Sequence, residues 1–139
     1  MKVLQQEITI ATQQRGYYLV TDRIEKSCDI LKEFQRGVAH IFLMHTSASL
    51  TINENADVSV RQDFTSFEEH LVPRDYPYRH DYEGSDDMPA HIKSSIFGNA
   101  LSISVKNGRF YLGTWQGIYL NEHRDHGSRR KIVITITGE

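Results

Sequence analysis

The chain has 139 residues and a mass of 16.1 kDa, the size of a single domain built on one core. Its 16 Lys and Arg against 18 Asp and Glu leave a formal charge of -2, which supplies no general pull towards nucleic acid or an anionic membrane and argues against a dedicated nucleic-acid binder. With 39% hydrophobic and 24% charged residues, the composition is that of a folded soluble protein and excludes disorder over most of the length.

From Val3 to Ile10, apolar Leu4, Ile8 and Ile10 alternate with Gln5, Glu7 and Thr9, the period of a strand with one buried face. Gly16 marks a turn. Tyr17 to Val20 predicts a second strand that runs into Thr21 and Asp22, either of which can cap a helix carrying Ile24, Cys28, Leu31 and Phe34 on one side and ending at Gly37. Val38 to Met44 is a nearly unbroken apolar run, and Ala48, Leu50 and Ile52 alternate with Ser49, Thr51 and Asn53. Together these predict paired strands near the middle of a sheet. Asn55 and Asp57 are good N-caps, and Val60, Phe64, Phe67 and Leu71 recur at the spacing of an amphipathic helix. Pro73 to Ser85, PRDYPYRHDYEGS, has neither period and predicts the longest loop. Asp86 and Asp87 open a short helix with Pro89 in its first turn and Gly98 at its close. Leu101 to Val105, Arg109 to Leu112 and a segment from Gly117 to about His123 follow as strands, with a hairpin turn at Asn107-Gly108. KIVITIT at 131–137 is a last, β-branched strand. Helices and strands do not alternate regularly, so the predicted class is α+β: one compact domain over 1–139, mainly antiparallel sheet with about three helices. The single cysteine, Cys28, cannot form an internal disulfide. The Gln- and Glu-interrupted start is no signal peptide, and no run approaches the roughly 20 apolar residues of a membrane span, so a cytoplasmic location is expected.

Seven histidines are many for this length and direct attention to three polar segments that core packing does not require. His45-Thr46-Ser47 follows a buried strand, and Asn53 to Asp57 follows the next one; the ends of strands in a rigid sheet are favoured places for reactive groups. If these two strands form a hairpin, the two groups lie at its opposite ends. In the second segment, Asp86 and Asp87 lie in the first turn of a helix, and His91, four residues after Asp87, lies near the same face. Carboxylate oxygen with imidazole nitrogen suits a divalent cation. The plainer reading, that both aspartates favour the positive end of the helix dipole, leaves His91 unexplained. In the third segment, Gln116 and Glu122 share a strand face, and Arg129, Arg130 and Lys131 offer cations for a phosphate or pyrophosphate, although such basic runs are commonly just solvated. HExxH, a Walker loop, GxGxxG and GxSxG are all absent.

HTSASLTINEN at 45–55, HDYEGSDDMPAHIKSSIFG at 80–98 and GTWQGIYLNEHR at 113–124 resemble the three signature blocks of the YjbQ family, in the same order and over nearly the whole chain. The resemblance implies a compact α+β subunit that assembles as a homotrimer, with polar residues near subunit interfaces. It also implies a weak, secondary thiamine-phosphate synthase activity: alkyl transfer from a hydroxymethylpyrimidine pyrophosphate to a thiazole phosphate, with pyrophosphate released. The matching positions are His45, Ser47, Asn53, Asp57, His80, Asp86, His91, Lys93, Trp115, Gln116, Glu122 and Arg130. On this basis His45, His91, Lys93 and Glu122 are catalytic candidates. Ser47, Asn53, Asp57, Trp115, Gln116 and Arg130 are substrate-binding candidates, and His45, His80, Asp86 and His91 are candidate ligands for Mg, Mn or Zn. Lys93 and Arg130 would stabilise the departing pyrophosphate, and Trp115 would stack on the pyrimidine. The stretch from His123 to Ser128 departs from the short Gly-Pro turn of many relatives, so His123 and His126 stay outside the predicted site. Two rival readings use the same residues: metal-dependent hydrolysis of a small substrate, and a non-enzymatic trimer that binds a small ligand or metal.

Overall fold

In the computed structural model, which describes all 139 residues, the period-2 runs of the sequence become eight antiparallel strands. These are β1 (Lys2–Ala11), β2 (Gln14–Leu19), β3 (Arg36–Leu43), β4 (Ala48–Glu54), β5 (Ala100–Lys106), β6 (Arg109–Phe110), β7 (Gln116–His126) and β8 (Arg129–Gly138). Three helices, α1 (Thr21–Ser27), α2 (Val58–Leu71) and α3 (Asp87–Phe97), complete the α+β domain. The strands form two sheets, one of five in the order β1-β8-β3-β5-β6 and one of three in the order β2-β7-β4. The alternation in KIVITIT turns Ile132, Ile134 and Ile136 into a single apolar core. They are joined there by Ile8 and Ile10 of β1, Ile41 and Leu43 of β3, Leu50 of β4, Ile118 and Leu120 of β7, and Ile24 of α1. Each such side chain, fully buried, contributes about 1.5–3 kcal/mol.

β7 is buried without interruption from Gly117 to His123, as befits a central strand covered on both faces. Ile118 and Leu120 belong to the apolar core, while Tyr119, Asn121 and His123 alternate to the other face, on which α2 and α3 lie. Glu68 of α2 and Lys93 of α3 turn into that layer and are 2% and 1% exposed. The molecule therefore has an apolar layer between its sheets and a polar one between its small sheet and two helices.

Asn107 (φ 52°) and Gly108 (φ 74°) are both left-handed, as the two central residues of a type I′ turn require, and they join β5 to β6. Three other expectations are corrected. The apolar runs at 38–44 and 48–52 do not pair: β3 lies between β8 and β5, and β4 lies beside β7. The turn at His45 to Ser47 therefore crosses from one sheet to the other. The first helix stops at Ser27, and a 3-10 turn, Asp29–Glu33, carries Leu31 into the core. On α2 the buried residue is Glu68, whereas Phe67 and Leu71 are 65% and 50% exposed. The polar face that α2 covers accepts a carboxylate in place of the apolar stripe.

Candidate functional site

The long loop before α3 and the first turns of that helix bring four donors together. His80, Glu83, Asp87 and His91 each offer one ligand atom, and these atoms all lie within 4.8 Å of one another. Asp87 Oδ2 is the hub, 2.9 Å from His80 Nε2 and 3.2 Å from His91 Nε2, with Glu83 Oε2 3.4 Å from His80 Nε2. Donors bound to one ion at about 2.0–2.2 Å stand roughly 3–3.5 Å from one another; three of the contacts here lie near that spacing and the other pairs stay within 4.8 Å, so the set could hold a divalent cation. The i, i+4 spacing of Asp87 and His91 stacks them on one helical face. The imidazoles are each about a third exposed and Asp87 is 3% exposed, so the cluster is rooted in protein and open on one side.

Surrounding groups fix the orientation of each donor. Thr46 carbonyl lies 2.9 Å from His91 Nδ1. That carbonyl accepts only from an N–H, so Nδ1 carries a proton and Nε2 is the ring nitrogen turned towards the cluster. Arg124 holds both aspartates, donating from Nη1 to Asp87 Oδ1 (2.8 Å) and from Nε to Asp86 Oδ2 (2.9 Å). Burial alone would raise the Asp87 carboxyl, but the His91 charge, hydrogen bonds with Glu83 and His80, and the Arg124 charge outweigh it and hold the group below the usual range. Beside the cluster a cavity of about 230 Å3 is lined by Tyr76, Tyr78, His80, Met88 and Pro89.

The aspartate in the cluster is thus Asp87, in place of the predicted Asp86. Asp86 Oδ2 also accepts from the backbone N–H of Asp125 at 2.9 Å, which ties the loop to β7. His45 stands outside the donor set. Its Nε2 accepts from the backbone N–H of Lys131 at 2.8 Å, and burial together with the Arg130 charge lowers its pKa, so it serves as a neutral acceptor. It nevertheless adjoins Thr46, which holds His91.

Arg130 and Glu122, predicted to meet substrate, are 4% and 0% exposed. They form a buried ion pair at one end of the apolar core. Arg130 Nε donates to Glu122 Oε1 at 2.9 Å and its Nη2 to Ser47 Oγ at 3.0 Å, while Thr12 Oγ1 also donates to Glu122 Oε1. The β7–β8 turn packs tightly against Thr12: a Cβ on Gly127 would lie 2.3 Å from its carbonyl oxygen. Lys93 is sealed between Glu68 and Glu69, each 3.6 Å from Nζ. Lys93 and Arg130 therefore cannot contact a leaving group as the structure stands, and Glu122 is fully committed as an acceptor.

The remaining predicted residues lie at the far end of the β4–β7 ladder, where Glu54 pairs with Gln116 while Ala48 pairs with Glu122; six residues of strand separate the ends by roughly 20 Å. There Asp57 caps α2 through the Ser59 N–H, and Gln116 Oε1 accepts from Gly113 N. Asn53 Oδ1 accepts from the backbone N–H of Glu54, and Trp115 is 65% exposed. Sequence reasoning passed over Glu83 and preferred Asp86 to Asp87, although the i, i+4 relation of Asp87 to His91 was the signal that distinguishes them.

The molecule is thus a two-sheet α+β domain with a His and carboxylate cluster at one edge. The chain belongs to the YjbQ family: the model for UPF0047 protein YjbQ-like matches residues 6–139. It is 50% identical over 135 residues to UPF0047 protein YjbQ of Salmonella typhimurium, covering 97% of this chain and 98% of that protein. It is 39% identical to UPF0047 protein MJ1081 of Methanocaldococcus jannaschii, covering 88% and 93%. Among solved structures, a YbjQ-like protein of unknown function from Sulfolobus solfataricus superposes with a TM-score of 0.86 at 25% identity over 99% of each chain. An uncharacterised member of the family from Clostridium acetobutylicum gives 0.83 at 35% identity, over 95% of this chain and 99% of that one. No helix is long and apolar enough to cross a membrane.

Proposed function

We propose that the protein is a small-molecule enzyme whose reacting groups gather around a divalent cation held by His80, Asp87 and His91, with Glu83 as a fourth donor. The observation that carries this reading is the convergence of two imidazole nitrogens and two carboxylates within 4.8 Å, on an edge that solvent reaches. A bound divalent cation supplies neutralisation of negative charge on a phosphate or pyrophosphate oxygen. Thr46 holds the His91 ring in the ligating tautomer, Arg124 fixes Asp87, and the neighbouring cavity, with Tyr76 and Tyr78 in its wall, accommodates a planar ring of pyrimidine size. The specific reaction we assign is slow thiamine-phosphate formation, in which the pyrimidine methylene passes from a pyrophosphate oxygen to the thiazole nitrogen. Trp115 and Gln116 lie too far away in one subunit to serve this site. Their participation requires a second copy, and the proposed homotrimer supplies one; the exposed Phe67 and Leu71 of α2 offer apolar surface for such assembly, and light scattering at micromolar concentration should give about three times the subunit mass.

A second reading, hydrolysis of a small phosphorylated substrate, gains support from the sealing of Lys93 and Arg130, because it asks nothing of those two cations. One assay separates the two. Wild type and a His80→Ala, His91→Ala double variant are purified from a host lacking the dedicated synthase, and pyrophosphate release is followed with and without thiazole phosphate. Release that needs both thiazole phosphate and the two histidines supports transfer. Release without thiazole phosphate supports hydrolysis, and equal activity in wild type and variant removes both.

A further inference from the structure

On the side of the small sheet away from the apolar core, β2 and α2 bound an open groove of about 630 Å3, lined by Arg15, Tyr17, Arg61, Gln62, Ser66 and Glu69 among others. Its volume is that of a small-molecule site, and Arg61 is the residue whose state calls for explanation. Arg15, Arg36, Arg74, Arg109, Arg124 and Arg130 all pair with carboxylates. Arg23, Arg61, Arg79 and Arg129 form no ion pair, and of these Arg61 alone has its Nε shut off from solvent with no acceptor. Buried donors in folded proteins nearly always have a partner, bound water or ligand included. Asp57, one turn earlier on the same helix face, takes the N–H and hydroxyl of Ser59 on Oδ1 and feels the Arg61 charge without forming an ion pair with it. Glu69 does not serve Arg61 either. It stands 2.9 Å from Arg15, 3.6 Å from Lys93 and 3.8 Å from Arg74, so its charge is already met by three cations. The groove thus holds a guanidinium that makes no ion pair and whose Nε has no acceptor.

We propose that this groove binds a small molecule through a carboxylate or phosphate group, with Arg61 as the anchor. The Nε edge of a guanidinium presents two parallel N–H groups that match the two oxygens of such an oxyanion, and binding requires the Arg61 side chain to rotate so that this edge faces the groove. Gln62 and Ser66, one turn apart on α2, supply further hydrogen-bonding groups along the same wall. The site is separate from the His80, Asp87 and His91 cluster, shares no residue with it, and needs no metal.

The test uses metal-free, 15N-labelled full-length protein from which any chelator has been removed, titrated with pyrophosphate and, separately, with succinate. The Arg61 Nε–H resonance and the backbone amides of Thr65 and Ser66 should shift saturably with at least one probe. Pyrophosphate alone identifies a phosphorylated ligand, and succinate alone a carboxylate. Arg61→Gln should weaken binding on the order of tenfold or more, whereas the His80→Ala, His91→Ala variant should bind as the wild type does. Arg61→Lys, which keeps the charge and the fold but loses the fork, should fall in between and carries the test if Arg61→Gln misfolds. No movement of Arg61 with either probe at about 10 mM, a concentration that reveals even millimolar sites, would overturn the proposal, as would equal affinity in wild type and Arg61→Gln or loss of binding in the double histidine variant.

Discussion

Two clusters of the same residue types sit on either side of α3. At its first turn, His80, Glu83, Asp87 and His91 converge with both imidazoles about a third exposed. On its inner face, Lys93 meets Glu68, which also accepts from Tyr17 (3.0 Å) and Arg15 (2.9 Å) and lies 3.6 Å from His123 Nδ1, all behind a surface that leaves Lys93, Glu68 and His123 at 2% exposure or less. In the first cluster Asp87 pairs with Arg124 and the imidazoles and Glu83 face it from the solvent side; in the second each carboxylate lies within 4 Å of a cation, although Glu69 Oε1 and His123 Nδ1 make no hydrogen bond. The difference teaches that residue type names the chemistry a position can do, while access and charge compensation decide whether it does it. The inner cluster holds α2 and α3 on the sheet, and the outer one is left free to take a ligand.

The sharpest way to break this contrast is to remove one partner of a sealed pair. Glu122→Ala should destabilise the fold by about 3–5 kcal/mol, because it leaves the Arg130 charge buried without a partner; Lys93→Met should cost less, because Arg15 still serves Glu68 and Glu69, and denaturant unfolding reads both directly. His80→Ala, in metal-free protein, should change stability far less. If Lys93→Met proves as mild as His80→Ala, the inner cluster is not the structural element described here.

A smaller effect follows from pH. Burial, with the charges of Lys93, Arg130 and Arg15, holds His123 down to about 3, whereas an unfolded histidine titrates near about 6.5. Between those values the unfolded chain takes up a proton that the folded chain refuses. Stability is therefore complete above about pH 6.5 and is lost as pH falls towards 3, with a slope of up to about 1.4 kcal/mol per pH unit. The window from about pH 6.5 to 5.5 lies above ordinary carboxylate titration. His123→Gln should flatten the slope there, and an unchanged slope would show that another group carries it.

The smallest expected change is at the far end of the ladder. Trp115→Ala, at a residue 65% exposed, should alter stability by no more than about 0.5 kcal/mol and leave metal affinity untouched. A loss of turnover without either change would tie that end to the site across a subunit boundary.

Much of the fold was legible because period-2 runs and turn chemistry are local: β1, β8, the Asn107-Gly108 turn and the cap at Asp57 all follow from neighbouring residues. What was not legible depends on partners distant in sequence. β3 and β4 look like hairpin strands until β8 and β7 compete for their edges, and Phe67 looks buried until the face that α2 covers turns out to be polar. The site shows the same division. His80 and His91 could be singled out by composition and spacing, but the choice of Asp87 over Asp86 was made by Arg124 and the Asp125 N–H, some forty residues away. The burial of Lys93 and Arg130 was likewise invisible, since a charge in the sequence carries no mark of its counter-charge.

Metal uptake tests the His80, Asp87 and His91 cluster most directly. Metal-free wild type should bind one Zn or Mn ion per chain in calorimetric titration, and the His80→Ala, His91→Ala variant, shown by circular dichroism to be folded, should bind it on the order of a hundredfold more weakly or not at all. A wild type that takes up neither ion, or a variant that binds as tightly as the wild type, would contradict the proposed metal site.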